Sequence, residues 1–542
     1  MMNAIKKFIQ NEFVLICIVL FGTVPRICGL HDQLLAGDEW HAIHNALYNG
    51  YTTILTSLGI GSISIPDSLY YKLAIDTIGL SEMVVRLPPL IAGVLIILIL
   101  PILIRPVCGR FTANLFACLL ALSPILILYS RFARPYSMMV LCGFASVSLF
   151  HHWWFTSSRR SFILYVILTT VTAYFLILAI PFILSPFLYF FVLILLGKGE
   201  CRWHSLRRLL GIAIATVIPL ILLLSPPFFT SLTDLTKLSA HATSAIKIET
   251  MADTFAIFTG KDNLGLTVCM GLFMLIGIIG NYRKANLYLV YLITLSMIQI
   301  AFITIVRPVA GNGPHIFARY ILLVLPVLLL LVSMGMDYLF SRLKVPFDKW
   351  LKFFVAVVFC GVIFLGGPIP SMRFYPNNAM SLSLFSYMIF GSDYRQKQMG
   401  FVKRIPDFYH QLAMHPPASL TIAEAPYHYA GDHIPFYQTI HRQNLKIGFI
   451  NGLCSETRGG GEIPIFAHNI NFSNYVFLKQ TDSVRNKGIH YVIFHKCLED
   501  EITWIPEYNH LDISNCIKEY KKAFGEPVFE DRDIVAFSTM MP

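Results

Sequence analysis

Two adjacent carboxylates, Asp38 and Glu39, follow the first long apolar stretch of the chain. A carboxylate can act as a general base, taking the proton of a hydroxyl group while its oxygen attacks an electrophile. Acidic residues also favour the first turn of a helix, so a purely structural interpretation of the pair remains open. His41 lies three residues after Asp38, and these two side chains are candidates for shared coordination of a divalent metal ion.

Arginines in the gaps between apolar stretches form a second set of candidates. Arg131, Arg134 and Tyr136 lie together in one gap, and Arg319 is followed by Tyr320 at the start of a later stretch. A guanidinium group matches the oxygens of a phosphate in geometry and charge. The alternative is snorkelling, in which an arginine at a helix end reaches the membrane surface without binding a ligand. Several such residues together favour an anionic substrate.

The composition indicates a membrane protein. Of the 542 residues, 56% are hydrophobic and only 13% are charged, whereas a soluble protein carries about a quarter charged residues. A bilayer is crossed by helices of about 20 apolar residues. The stretches that fit this length are 13–30, 83–104, 112–130, 136–155, 162–179, 181–196, 209–225, 264–280, 287–305, 320–340 and 351–367. Pro181 separates two of them within a run that is too long for one helix.

Basic residues predict the orientation of these spans. Clusters of Lys and Arg fall in every second gap, beginning before the first span, and such clusters stay in the cytoplasm. The N-terminus is therefore predicted to be cytoplasmic, and the acidic pair and the arginines above are predicted to lie outside. The net charge of +11 comes from residues in short loops, so no nucleic-acid partner is indicated. Arg26, near the outer end of the first span, either joins the outer arginines or makes a structural ion pair.

The predicted outer loop, 31–81, contains two helical patterns. In 38–47, Trp40 and Ile43 share an apolar face, and Asp38 and His41 share a polar one. A tryptophan on an apolar face suits the membrane surface, so this helix is expected to lie flat on the bilayer. A weaker stripe runs through 69–78.

Residues 371–542 differ from the rest in having more charge and short β-like runs. Strands are predicted near 420–423, 446–450, 490–494 and 534–537, and a helix over 513–524. This alternation indicates a small α/β domain outside the membrane, following a transmembrane domain over 1–370. Two of Cys454, Cys497 and Cys516 are expected to form a disulfide there if the compartment is oxidising, and the sequence leaves the pairing open.

These motifs, in this order, resemble the GT-C superfamily of integral-membrane glycosyltransferases, close to bacterial relatives of protein O-mannosyltransferases and to the lipid A aminoarabinose transferase. The matching positions are Asp38-Glu39, Leu69-Tyr70-Tyr71, Leu80-Ser81-Glu82 to Arg86-Leu87-Pro88, Leu122-Ser123-Pro124 to Tyr129-Ser130, Ala133-Arg134-Pro135-Tyr136, and Arg319-Tyr320 with Leu325-Pro326. The resemblance covers 25–140 well and 315–330 moderately.

The resemblance implies a polytopic α-helical membrane protein of GT-C type with a C-terminal α/β extracytoplasmic domain, in a bacterial inner membrane. The implied reaction moves a sugar from a polyprenyl-phosphate carrier to a lipid, glycan or protein hydroxyl on the outer face, with inversion. Asp38 is then the expected base, and Glu39 an orienting or metal-linked partner. No cofactor is certain, and a divalent metal ion stays open. The residues expected to contact the donor phosphate are Arg131, Arg134, Tyr136, Arg319 and Tyr320.

Two stretches depart from the family pattern. The family has His or Lys and two prolines where this chain has Ser64-Ile65-Pro66-Asp67-Ser68, which leaves the substrate open. The family's frequent Gln-Glu before Ala-Arg is Arg131-Phe132 here, so this chain either does without that carboxylate or uses Asp67.

The alternative function is a transporter or flippase for an anionic lipid-linked sugar. It would require charged residues near the middle of the bilayer, and the predicted spans contain almost none. Many transporters also show two related halves, and the sequence has no internal repeat.

Overall fold

The structure is a computed structural model of the whole chain. The residues it describes are 2–31, 33, 35, 38–58, 64–197, 202–232, 245–260, 263–282, 287–308, 311–342, 348–367, 369, 404–425, 437–438, 440–449, 453, 472–496 and 512–540. They form two compact bodies. The first contains 1–28, 49–70 and 86–371, and the second contains 29–48, 71–85 and 372–542.

Helices make up the first body. Those that lie wholly or partly in it are α1 Met2–Ile27, α3 Tyr51–Thr56, α4 Ile65–Asp76, α5 Glu82–Cys108, α6 Arg110–Leu122, α7 Pro124–Ser130, α8 Tyr136–Thr156, α9 Arg159–Phe175, α10 Ile180–Leu195, α11 Arg202–Thr230, α12 Ile248–Thr259, α13 Leu264–Tyr282, α14 Leu287–Val306, α15 Pro314–Tyr320, α16 Leu325–Arg342 and α17 Asp348–Gly366. Short 3₁₀ turns, Ile177–Ala179 and Leu322–Val324, precede α10 and α16.

Each predicted span coincides with a helix or with a broken pair of helices. Among the described residues, six helices are long and apolar enough to cross a membrane, and up to eight if each of two bent pairs counts as one span. The chain is thus an integral membrane protein. The turn 177–179 lies where Pro181 predicted a break between two spans.

The third predicted span, 112–130, is broken in the structure. It consists of α6 and α7, which meet at a 63° bend. Pro124 begins α7 and has no N–H group, so the Leu120 carbonyl loses its helical donor. The buried Arg26 side chain replaces it, since Nη2 donates to the Leu120 oxygen at 3.1 Å and Nη1 to the Ala121 oxygen at 3.0 Å. Arg26 therefore stabilises the bend.

Glycines let α13 and α16 approach closely. A Cβ atom on Gly335 would lie 1.9 Å from the Phe273 carbonyl oxygen, and one on Gly277 would lie 2.2 Å from the Leu331 oxygen. Only residues without a side chain fit such a contact between backbones, as is common between membrane helices.

The second body is built on a six-stranded sheet in the order β3-β2-β1-β4-β6-β5. Its strands are β1 Thr421–Ala425, β2 Asn444–Phe449, β3 Tyr475–Phe477, β4 Tyr491–His495, β5 Phe529–Glu530 and β6 Ile534–Ser538. Strands β1 to β4 are parallel and β6 is antiparallel to β4. The helices wholly in this body are α2 Glu39–Tyr48, α18 Asp407–Ala413, α19 Thr481–Asn486 and α20 Ile513–Phe524.

Side-chain alternation along the strands gives the sheet two buried faces. One face, which includes Val492 and Phe494, packs on α20. The other, which includes Ile422 and Ile493, packs on α18. Cys516, on α20, is disulfide-bonded, as expected for a domain in an oxidising compartment. Cys454 and Cys497 lie outside the described residues.

Helix α2 forms where the periodicity predicted it, but the predicted place of Trp40 is wrong. Its ring is fully buried and meets the rings of Phe472 and Tyr475 edge to face, at centroid distances of 5.6 and 5.3 Å. Trp40 thus belongs to the core of the second body instead of facing lipid, because aromatic partners from the C-terminal part cover it.

Candidate functional site

Four helix ends in the first body bring buried arginines together. Arg26 lies near the end of α1, Arg86 near the start of α5, and Arg131 and Arg134 between α7 and α8. The approach of α5 to α7 depends on Gly93, since a Cβ there would lie 2.2 Å from Ser130 Oγ. Arg131 contacts the Arg26 carbonyl oxygen and is repelled by Arg86, so the arginines gather at one end of the bundle.

Arg131 is held by the end of α1. Its Nη1 donates to the carbonyl oxygens of Pro25 at 3.0 Å, Arg26 at 3.3 Å and Cys28 at 2.7 Å. The last carbonyls of a helix lack internal donors and carry partial negative charge, so a guanidinium group stabilises them. Burial, and then repulsion from Arg86, lower the pKa of Arg131 to about 10, which leaves it protonated at neutral pH.

Arg134 lies beside a carboxyl group, that of Asp67. Both side chains are buried, Arg134 being 6% and Asp67 4% exposed. The Arg134 guanidinium also lies over the ring of Tyr136, 5.8 Å from its centroid. Asp67 belongs to the first turn of α4, where its backbone N–H donates to Ser64 Oγ at 3.3 Å. The first turn of α4 therefore places the Asp67 carboxyl group next to the Arg134 guanidinium.

The Asp67 carboxyl group has an unusual protonation equilibrium. Burial raises its pKa to about 7, against the opposing effects of Arg134 and of a hydrogen bond with Ser64. Its Oδ2 atom is buried and accepts no hydrogen bond from the residues that the structure describes. At neutral pH a large fraction of Asp67 is therefore neutral.

Arg319 and Tyr320 end the short helix α15, and both are partly buried. The Gln299 side chain, from α14, fixes this end by donating from Nε2 to the Tyr320 carbonyl oxygen at 2.9 Å. The same group donates to the Leu178 oxygen at 3.0 Å. Gln299 thus positions Arg319 by holding two helix breaks at once.

The acidic pair lies in the second body, at the start of α2. Glu39 is fully buried, whereas the Asp38 side chain is 33% exposed. Asp38 Oδ1 lies 3.8 Å from His41 Nε2. Asp38 therefore keeps access to solvent, as a base that receives a proton from an acceptor requires.

Asp38 and His41 are close enough to contribute two ligands to one metal ion. In the described part of the chain, however, no group of three or more His, Cys, Asp or Glu side chains is placed to hold a metal. The described residues therefore do not make up a complete metal site.

The edge of the sheet holds the segment that leads to Asp38. The Tyr475 hydroxyl donates to the Leu35 carbonyl oxygen at 2.7 Å, and Asn474 Nδ2 to the His31 oxygen at 3.2 Å. The Glu82 carboxylate accepts from the backbone N–H groups of Ser473 at 3.1 Å and Asn474 at 2.8 Å. Strand β3 and the turn before it thus anchor the acidic pair.

Sequence reasoning missed several of these positioning residues. Nothing in the sequence singles out Tyr475 or Gln299, because their role depends on carbonyl groups distant in the chain. Glu82 appeared only as part of a family motif. A signal did exist for Arg26, since Pro124 predicts an orphaned carbonyl inside an apolar stretch.

No family model and no curated protein matches the sequence. Among solved structures, the fold is similar to ArnT from Cupriavidus metallidurans in the apo state, with a TM-score of 0.47, 14% identity and 98% of both chains covered. The same protein bound to undecaprenyl phosphate gives a TM-score of 0.46 at 13% identity, again with 98% of both chains covered. An Archaeoglobus fulgidus oligosaccharyltransferase tethered with an acceptor peptide gives a TM-score of 0.43 at 12% identity. The match covers 90% of this chain and 69% of that one. Both proteins are GT-C superfamily enzymes.

Proposed function

We propose that the chain is an integral-membrane glycosyltransferase that moves a sugar from a polyprenyl-phosphate carrier to a hydroxyl acceptor, with inversion at the anomeric carbon. The observation that carries the proposal is the buried Arg134 beside Asp67, at the end of the bundle where other buried arginines gather. A guanidinium group matches the oxygens of a phosphate in geometry and charge.

Arg134 is the principal phosphate contact in this proposal. The carbon–oxygen bond between sugar and phosphate breaks in the reaction, and the negative charge stays on the carrier phosphate. Arg134 stabilises that charge as it develops. Arg319, Tyr136 and Tyr320 are assigned as further contacts to the donor, and Arg131, held by the end of α1, adds positive potential and fixes the loop.

Asp38 is assigned as the general base. It takes the proton of the acceptor hydroxyl while the hydroxyl oxygen forms its bond to the anomeric carbon. Glu39, buried at the start of α2, orients this segment. The ordered sequence motifs support these roles, and the partial exposure of Asp38 suits contact with an acceptor.

The reaction is placed on the outer face of a bacterial inner membrane, with a cytoplasmic N-terminus and an extracytoplasmic domain at 371–542. The alternation of basic clusters supports this orientation. The disulfide bond of Cys516 supports it independently, because disulfides persist in oxidising compartments. The acceptor is a lipid, a glycan or a protein.

The test replaces Arg134 with Gln and with Lys. Loss of a charge-assisted hydrogen bond to phosphate should weaken donor binding by roughly 10- to 100-fold. Arg134→Lys should retain only part of the wild-type donor affinity, because an ammonium group lacks the planar fork of a guanidinium group. Binding of undecaprenyl phosphoryl-mannose to the detergent-solubilised protein is the measurement.

Arg307→Gln is the matched control, since Arg307 is an exposed arginine of the same body. It should bind the donor like the wild type. Equal donor affinity for the wild type and Arg134→Gln would overturn Arg134 as the phosphate contact.

A further inference from the structure

A group of arginines lies where α8 and α10 end and where α9 and α11 begin. Its members are Arg159 and Arg160, which begin α9, and Arg202, Arg207 and Arg208 at the start of α11. Helix α8 is 21 residues long, so this group lies about 30 Å from the other end of that helix, where the candidate site begins. The proposed transfer does not use it.

Arg208 joins the start of α11 to the end of α8. Its Nη2 donates to the Trp154 carbonyl oxygen at 3.2 Å. Its guanidinium carbon also lies over the rings of Trp153 and Trp154, 5.1 and 5.4 Å from their centroids, which is a cation–π arrangement. Since α9 begins directly after the turn that follows α8, this contact brings the arginines of α9 and α11 to the same turn.

The surface around this turn changes from cationic to apolar within one helical turn. In α11, Arg207 lies over the exposed ring of Trp203, 5.0 Å from its centroid, and the exposed Leu210 follows. In α9, the exposed Arg160 is followed by the exposed Ile163. Exposed tryptophans and arginines are typical of the boundary between a bilayer and water. A phospholipid has the same order, with a charged headgroup above apolar chains.

The five arginines have no acidic partner in the part of the chain that the structure describes. Helices α8 to α11 contain no Asp or Glu, and no ion pair joins any of the five to a carboxylate of a described residue. Arg105, at the same end of the bundle, instead forms an ion pair with Glu12. The five therefore make a positive surface that attracts anions.

The types of these residues define the anion. Guanidinium groups match the oxygens of a phosphate in geometry and charge. A phosphate carried by a lipid fits better than a dissolved one, because its acyl chains would cover Ile163 and Leu210 below the arginines. Basic groups between membrane helices are known to bind lipid headgroups in this way.

We propose that this surface binds an anionic phospholipid, with its phosphate held by Arg160 and Arg207 and its acyl chains lying along α9 and α11. In the orientation proposed above, the lipid belongs to the cytoplasmic leaflet. The bound lipid would connect the ends of four helices, α8 to α11. The proposal does not depend on the transfer reaction.

The experiment measures lipid binding to the detergent-solubilised full-length protein by native mass spectrometry. The probes are dioleoyl phosphatidylglycerol and dioleoyl phosphatidylcholine, which have the same acyl chains and differ in the net charge of the headgroup. Phosphatidylglycerol should bind the wild type at least about tenfold more tightly. Excess glycerol 1-phosphate should not displace it, because that anion has no acyl chains.

A double variant locates the site. Arg160→Gln with Arg207→Gln should weaken phosphatidylglycerol binding at least about tenfold and leave phosphatidylcholine binding unchanged. The matched control is Arg110→Gln with Arg342→Gln, which removes two exposed charges from α6 and α16 at the same end of the bundle. It should bind phosphatidylglycerol like the wild type. Both double variants should bind the glycosyl donor normally, which separates this surface from the transfer site.

Three results would overturn the proposal. Equal affinity of the wild type for the two lipids would show that headgroup charge is not recognised. An equal loss in both double variants would show only a general effect of charge. Displacement by glycerol 1-phosphate would assign the surface to a dissolved phosphate.

The melting temperature of the wild type decides the question if Arg160→Gln with Arg207→Gln fails to fold. A ligand that binds only the folded protein raises this temperature. Phosphatidylglycerol should therefore raise it more than phosphatidylcholine at the same concentration. Equal melting temperatures with the two lipids would contradict the proposal.

Discussion

At the residue scale, the buried arginines differ in what their side chains meet. Arg26 donates to the carbonyl groups freed by Pro124, and Arg131 donates to the end of α1. Arg134 instead lies beside Asp67, whose pKa is raised by burial to about 7. The family resemblance made Arg134 and Arg319 the stronger candidates for phosphate contacts and Arg131 a weaker one. The sequence could not show what holds Arg131, because its carbonyl partners lie about 100 residues away in the chain.

The raised pKa of Asp67 predicts a pH dependence for donor binding. Below pH 7 Asp67 is mostly neutral and leaves the Arg134 charge to the phosphate. Above pH 7 it ionises, pairs with Arg134 and repels the phosphate. The affinity for a phosphodiester donor should therefore fall by about tenfold between pH 6 and pH 8.5. Titration with undecaprenyl phosphoryl-mannose at both pH values measures this, since the charge of a phosphodiester is constant over the range.

Asp67→Asn mimics the neutral acid and should bind the donor equally at both pH values. Asp76→Asn, which changes an exposed carboxylate of the same helix, should keep the wild-type dependence. A wild-type profile that is already flat would refute the assigned role of Asp67.

At the element scale, periodicity and hydropathy predicted most helices and strands. The helix over 513–524 and the strands near 420, 446, 490 and 534 lie where they were expected. The short edge strands β3 and β5 were missed, because two or three residues give no periodic signal. The bend between α6 and α7 was missed because 112–130 has the length of a single span, so its proline gave no reason to divide it.

The glycine contact between α13 and α16 gives a prediction for the stability of the bundle. Gly335→Ala places a methyl group against the Phe273 carbonyl oxygen, so the helices must separate. The expected loss is about 2 kcal/mol or more of unfolding free energy. Thermal unfolding of the solubilised protein measures it.

Gly361→Ala is the control, because a Cβ at that position on α17 meets no atom within 4 Å. It should leave the melting temperature unchanged or slightly higher, since alanine favours helix. Equal melting temperatures for Gly335→Ala and Gly361→Ala would mean that α13 and α16 do not pack as described.

At the scale of the whole molecule, the C-terminal domain has a role that its sequence did not indicate. The sequence suggested no catalytic residue there, yet β3 anchors the segment before Asp38 through the Tyr475 hydroxyl. Such a contact links 35 to 475, and only the folded chain reveals it. The sequence predicted a helical transmembrane part and a C-terminal α/β part. That 29–48 and 71–85 belong to the same body as 372–542 is seen only in the tertiary contacts.

Tyr475→Phe should lower the rate of glycosyl transfer without changing donor affinity. The lost hydrogen bond is worth about 1 kcal/mol, or roughly a fivefold fall in turnover if it acts only through the position of Asp38. Turnover and donor affinity are measured separately in membranes. Tyr491→Phe, on β4, should have no effect, and a matching loss in that variant would assign the change to general destabilisation.

The most direct test of the proposed function is glycosyl transfer by Asp38→Asn in membranes supplied with undecaprenyl phosphoryl-mannose and a hydroxyl acceptor. Loss of the general base should reduce transfer by about 10²- to 10⁴-fold while donor binding is retained. Asp482→Asn, at an exposed position of the same body, should transfer normally. Transfer by Asp38→Asn at the wild-type rate would contradict the account, and so would wild-type protein that moves the lipid-linked sugar across liposomes without forming a glycoside.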